Sequence, residues 1–329
     1  MSNIVAKLTQ LRKIVVFYGR FLPSFSAIGY RWRSLAWPRL RATLGAQTWL
    51  VSGASGGVGA AIALEAARRG ATVLAAARSK DKLDALVAQF GASRGARDGQ
   101  GSIVPVVADL ALKRDVQQLV RELLAGGRRI DVLVNNVGLM LADFTHTDEG
   151  HETSFATNIL GHYILTEGLI RGGAMVPGGA VVNMSSGGMY NVPLNVAPMD
   201  AKDAKGYNGV RAYALAKRGQ AALTEHWTAR YGASHDLQFY VMHPGWADTQ
   251  GVKTAMPRFR RMLQLVLRNP AQGADTAVWL GATRPKGTDP TGFWLDRAPR
   301  EAHAYEFTRK ARNTPAELAV YLQQVSDAA

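Results

Sequence analysis

The 329-residue sequence predicts an α/β fold: a doubly wound parallel sheet with helices on both faces, three αβα layers in a single domain. Three observations carry that prediction. Beyond residue 46, short apolar runs rich in β-branched residues alternate with helical stretches. Each run is bounded by Gly, Pro, Asn or Asp. The first run also passes through a glycine-rich turn straight into a helix.

Taken in order, QTWLVSG reads as the first strand, AAIALEAARRG as a helix ending at Gly70, and ATVLAAA as the second strand. A helix follows around Asp81 to Phe90, then the strand SIVPVVAD, a helix near Lys113 to Leu124, and the strand IDVLVNN. A long helix is expected from about Asp148 to Leu169, opened by Thr147 and its acids. The strand AVVNMSS, a helix over Arg211 to Tyr231 and the strand LQFYVMHP complete the alternation. GASRGARDGQGS and RGGAMVPGGA read as loops between elements, and neither has the character of a domain linker. The organisation expected is an extension over 1–46, a domain over 47–300 with a lid around 250–270, and a helical tail over 301–329.

Composition narrows the function classes. No cysteine occurs, which excludes disulfides, thiolate metal sites and a cysteine nucleophile and fits a cytoplasmic protein. The net charge of +14 is lopsided: residues 1–48 hold eight bases and no acid, and the first carboxylate is Glu65. Those bases are interleaved with Phe17, Tyr18, Phe21, Phe25, Tyr30, Trp32 and Trp37. The apolar run from Ile14 is broken by Arg20 and Pro23, too soon for a spanning helix of about 20 residues. Two readings of the extension stand side by side: a helix against the anionic inner face of a membrane, or a segment packed on its own domain. A nucleic-acid partner is not expected, since no reading motif accompanies the charge.

The turn after the first strand is SGASGGVG, Ser52 to Gly59. Glycine there lets the backbone turn tightly and admit a pyrophosphate to the helix N-terminus, where free N–H groups favour an anion. Gly53, Gly57, Gly59 and Gly53, Gly56, Gly59 are both acceptable spacings, and a merely structural turn is the bland alternative. The second strand ends at Ala77 followed by Arg78, with no carboxylate to bind ribose hydroxyls, so NADP is expected over NAD, which stays open.

In GYNGVRAYALAK two tyrosines each precede a base by four residues, Tyr207 with Arg211 and Tyr213 with Lys217. Only the second pair lies where alanines and leucines sustain a helix, which would put phenol and ammonium on one face. A phenol can protonate a developing alkoxide if a nearby ammonium lowers its pKa from about 10, by roughly one to three units. Tyr207, between Gly206 and Gly209, becomes a candidate for the pocket wall.

Set in order, SGASGGVG, VADL, NNVG, ATNILGHY, the SS of AVVNMSS, YALAK and HPGWADT resemble the motifs of the short-chain dehydrogenase/reductase family in its classical branch. The resemblance implies a Rossmann fold and an NAD(P)-dependent oxidoreductase interconverting an alcohol and a carbonyl. It implies Tyr213 as acid/base, Lys217 beside it on the nicotinamide ribose, Ser186 on the substrate oxygen and Asn158 holding a water. It places Gly53, Ser55, Gly56, Gly57, Val58 and Gly59 at the pyrophosphate and Arg78 at the adenosine ribose end. Asp109 and Leu110 fall beside the adenine, and Asn135, Asn136 and Gly138 at the fourth strand's end. Pro244, Gly245 and Thr249 fall at the nicotinamide amide.

Departures matter too. Ser186 and Tyr213 are 27 positions apart, and the insert between them, rich in Gly, Pro, Asn and Asp, resembles the loop of retinol-dehydrogenase-like members and is expected to form a pocket wall. After Thr249, Met256, Phe259, Met262, Leu263 and Leu265 recur at helical spacing and argue for an apolar or lipid-like substrate, with core packing as the alternative. DFTHTDEGHE clusters acids and histidines without the spacing that binds a metal, and His243 reads as a packed strand-end residue. A non-catalytic nucleotide sensor or membrane-surface scaffold is the rival reading, and a homo-oligomer is compatible with either.

Overall fold

The apolar runs pair into one eight-stranded sheet. Its strands are β1 (Thr48–Ser52), β2 (Thr72–Ala77), β3 (Ser102–Val107), β4 (Ile130–Asn135), β5 (Met175–Met184), β6 (Gln238–Met242), β7 (Phe293–Leu295) and β8 (Ala298–Arg300). The computed structural model describes residues 19–93, 101–249, 257–286 and 293–328. The strand order is β3-β2-β1-β4-β5-β6-β7-β8, and every pairing is parallel except β7 with β8. Trp49, Leu50 and Val51 are fully buried, as expected of a parallel strand covered on both faces, where alternation is lost. The order reverses between β1 and β4, which opens a crevice at the carboxyl ends of the strands.

One layer of helices contains α2 (Gly57–Arg68), α3 (Lys80–Ala92) and α8 (Pro270–Thr283), sharing a core with Trp49, Val51 and Trp294. The other contains α4 (Lys113–Ala125), α5 (Gly161–Arg171), α6 (Gly209–Tyr231) and α9 (Pro315–Asp327), packed around Leu50, Leu133 and Trp227. Two shorter helices, α1 (Ala27–Ser34) and α7 (Pro257–Leu263), lie outside these layers.

Three boundaries differ from the expectation. The helix expected from Asp148 begins at Thr153, because Thr147 closes a turn with Gly150, which has a φ of +76°. Glu152, accepting from the Ser154 and Phe155 N–H groups, is the true cap. The path from Thr153 to Arg171 also contains a π-helical turn, Ala156–Leu160. Strand β5 starts at Met175, inside RGGAMVPGGA, with a register shift opposite Ile130 and Val132. The insert before Tyr213 is not an open loop: Val192, Leu194, Val196 and Met199 are buried in the α4–α5–α6 core. Most of GASRGARDGQGS lies outside the described residues.

The extension resolves toward packing over residues 19–46. Phe21 and Phe25 stack at 4.6 Å and join Met189, Tyr190, Val241 and Phe293 in a third apolar cluster. The Arg268 side chain, 1% exposed, ties this segment down through the Ser24, Phe25 and Ser26 carbonyls and both oxygens of Asp296. Arg33 of α1 reaches the same carboxylate. Among the described residues, no helix is long and apolar enough to cross a membrane.

Candidate active site

The crevice at the carboxyl ends is a cleft of about 490 Å³. Gly53, Ser55, Gly56, Gly57, Val58, Gly59, Arg78, Asp109, Leu110, Asn136, Gly138, Tyr213, Lys217, Pro244 and Thr249 line it, all of them singled out by sequence motif. A larger cavity, about 650 Å³, lies on the outer side of α2 between Tyr30, Arg68 and Gln272. Of the motif residues only Gly57 borders it, so the chemistry belongs to the smaller cleft.

The glycine ambiguity is resolved by space. A Cβ on Gly59 would stand 2.3 Å from the Gly53 carbonyl oxygen and 2.5 Å from Asn136 Nδ2, and one on Gly53 would stand 2.8 Å from the Val137 Cα. Gly53 and Gly57 have φ of +67° and +57°, which side chains resist. Gly56, with open space around it and an extended φ, is not required to be glycine. The spacing Gly53, Gly57, Gly59 is therefore the one that builds the turn. Ser52 holds the floor, accepting from the Asn136 and Val137 N–H groups at 2.9 and 3.0 Å.

At the β2 end, Arg78 is largely exposed and lies 3.6 Å from Asp109. Ser79 caps α3, and Lys82 lines the cleft beside Arg78. Lys82 escaped the sequence reading, although its position one helical turn beyond Arg78 was the available signal. Lys80 turns along its own helix to Asp84.

At the other end, α6 carries Tyr213 and Lys217 on one face, with the ammonium 5.5 Å from the phenol ring centroid. Lys217 Nζ donates to the Met184 carbonyl at 2.8 Å and to Gln220 Oε1 at 3.3 Å. Burial pushes Lys217 down to about 7, and burial also raises the Tyr213 phenol, against the opposing effect of its hydrogen bond with Ser186. The expected lowering of the phenol is outweighed by desolvation, which shifts both groups toward their uncharged forms.

The adjacent serines part company. Ser185 Oγ donates to the Lys217 carbonyl at 2.8 Å, fixing strand to helix, while Ser186 accepts from Gly188 N and meets Tyr213. Asn158 sits fully buried in the π-turn, and its amide bonds both the N–H and the carbonyl of Leu139, at 2.9 and 2.8 Å. Its side chain braces the loop after β4 and does not line the cleft. Gln220 links the two, donating to the Asn158 carbonyl at 2.8 Å while it accepts from Lys217. No motif marks Gln220, one helical turn past Lys217.

Two further expectations change. Asn135 faces a buried amide ladder with Thr166 and Asn183 instead of the cleft, because adjacent strand residues point to opposite faces. Tyr207 lies outside α6, donates to Glu152 at 2.9 Å and meets Phe144 edge-on, so it forms no wall of this cleft. Gly245, with φ +73°, packs on the Arg268 side chain. His243 is buried against Phe25, and desolvation holds it near 3. In DFTHTDEGHE, His151 bonds Asp200 at 2.9 Å and the Glu152 N–H bonds the same carboxylate, so these residues fasten the insert. Met256 lies outside the described residues; Phe259 packs on Trp246, while Met262 and Leu265 are 76% and 93% exposed.

A family described as short chain dehydrogenase matches residues 47–258. The chain is 36% identical over 310 residues to human dehydrogenase/reductase SDR family member 12, covering 93% of this chain and 94% of that one. It is 30% identical over 254 residues to mouse retinol dehydrogenase 14, covering 72% and 74%. A solved structure assigned as an NAD(P) dependent gluconate 5-dehydrogenase from Beutenbergia cavernae, with NADP bound at low occupancy, superposes with a TM-score of 0.57 at 25% identity, covering 73% of this chain and 91% of that one.

Proposed function

The chain belongs to the short-chain dehydrogenase/reductase family and is an NAD(P)-dependent oxidoreductase acting on CH–OH groups; from that premise we propose that it uses NADP to interconvert an apolar, lipid-like alcohol and its carbonyl compound. The observation that carries this reading is one cleft with a glycine turn and Arg78 at one end and Tyr213 and Lys217 at the other, with Ser186 hydrogen-bonded to Tyr213.

The cleft fits the cofactor. Close approach is possible where Gly53, Gly57 and Gly59 leave no side chain, at the N-terminus of α2, and the bases Arg78 and Lys82 suit a ribose phosphate. When bound, the reduced cofactor supplies a hydride to the carbonyl carbon. Tyr213, kept in its phenol form by burial, donates its proton to the carbonyl oxygen, and the Ser186 hydroxyl holds that oxygen in place. Lys217 lies behind the phenol, oriented by Met184 and Gln220, and is charged below about pH 7 and neutral above it. Asn158 acts through the Leu139 loop it braces. In the reverse direction the same phenol oxygen takes up the proton.

An apolar substrate is supported by the name retinol dehydrogenase on a relative. The placement we propose is cytoplasmic, with residues 1–46 packed on the domain through Phe21 and Phe25 and contacting a membrane surface with the opposite side.

Two experiments test the cofactor assignment. In a fluorescence titration NADPH should bind more tightly than NADH, and Arg78→Glu should lower that preference by tenfold or more, through loss of a base and gain of like charge. Equal or tighter NADH binding to the unaltered protein would refute the NADP preference. Gly59→Ala forces a Cβ against the Gly53 carbonyl and should weaken NADPH binding by about 1–3 kcal/mol, roughly 5- to 150-fold. Unchanged affinity would show that the cofactor does not use this turn.

A further inference from the structure

We infer that α1 and the segment around α7 form one docking surface for an anionic lipid bilayer, seated beside the substrate end of the cleft. The inference rests on the proposed membrane placement of residues 1–46 and goes beyond it by giving half of the surface to the lid.

The charge distribution is the first observation. Residues 1–48 and 249–274 together hold thirteen of the 39 bases and none of the 25 acids, which leaves 26 bases against 25 acids in the rest of the chain. The described parts of these segments, 19–48 and 257–274, are far apart in sequence, yet the fold joins them: the Ala27 N–H donates to the Val266 carbonyl at 2.8 Å, and the Trp246 N–H donates to the Phe25 carbonyl at 2.8 Å. Three of the thirteen bases are paired with two carboxylates, Arg33 and Arg268 sharing Asp296 and Arg260 on Asp248. Arg31, Arg39, Arg41 and Arg261 are exposed.

The second observation is apolar. Helix α1 buries Ala27 and Gly29 and leaves Ile28, Trp32 and Leu35 exposed by 61%, 77% and 81%, at a spacing that lines up one face together with Arg31. Across the Ala27–Val266 bond stand Met262 and Leu265, exposed by 76% and 93%. Five large apolar side chains turned outward among a surplus of bases match the boundary between anionic headgroups and acyl chains. Phe259 against Trp246 and Arg260 on Asp248 tie this face to the loop that ends at Thr249 in the cleft. A bilayer bound there would lie next to the entrance an apolar substrate uses.

Sedimentation of the full chain with vesicles tests this without substrate or cofactor, so its outcome is independent of the proposed reaction. The protein should sediment with phosphatidylcholine vesicles containing phosphatidylglycerol, and not with pure phosphatidylcholine, and added salt should release it. Met262→Ser/Leu265→Ser, with the extension intact, should reduce partition about tenfold, as should Trp32→Ser/Leu35→Ser, each with an unchanged thermal midpoint. Equal binding to both vesicle types overturns the inference, as does a lid pair that binds like the unaltered chain. Retention of a DNA duplex through the same residues, or self-association lost in both pairs, would assign the face to another partner and equally overturn it.

Discussion

Tyr213→Phe should reduce turnover by at least 10²–10⁴-fold while leaving NADPH affinity within about twofold. The side chain lies on the cleft face of α6, against Gly188 and in hydrogen-bond contact with Ser186, so losing one oxygen removes the proton donor and disturbs little packing. The effect should fall on kcat, because the phenol acts on charge that develops only as the carbonyl is reduced. Parallel loss of NADPH binding would instead mean that the hydroxyl holds the cofactor. A mutant with near-normal turnover would remove Tyr213 from the chemistry.

Arg268→Met should lower the free energy of unfolding by about 3–5 kcal/mol in urea titrations. Methionine fills much of the volume but leaves Asp296, 2% exposed, with one of its two guanidinium partners, and takes one donor from each of the carbonyls of Ser24, Phe25 and Ser26. The same side chain packs under Gly245, so the loop from Pro244 to Thr249 should loosen as the extension does. A loss below about 1 kcal/mol would show that the extension is held by its aromatic cluster alone.

Strands β1 to β4, β6 and the second half of β5 are legible because their apolar runs end in turn residues, and the cleft is legible because it is built from local motifs whose spacing is fixed by backbone geometry. What escaped depends on contacts distant in sequence. Thr147 looks like a cap, and only the fold shows that Glu152, buried under Asp200 and Tyr207, takes that role. The aromatic residues of the extension give no sign of a partner; Phe25 finds His243 and Trp246 more than 200 positions later. The pKa of Lys217 is a matter of burial, which the Tyr–Lys spacing does not encode. That α1 lies beside the segment around α7 is visible only in the bond between Ala27 and Val266.

The central claim is that this cleft transfers a hydride and does not merely sense a nucleotide. Its most direct test follows deuterium from NADPH labelled at the transferring carbon into a panel of lipid aldehydes, steroids and retinoids. Deuterium is expected on the carbinol carbon of at least one apolar product, and is lost in Tyr213→Phe. Cofactor that binds tightly yet delivers no label to any carbonyl, or delivers it equally in the mutant, would contradict it.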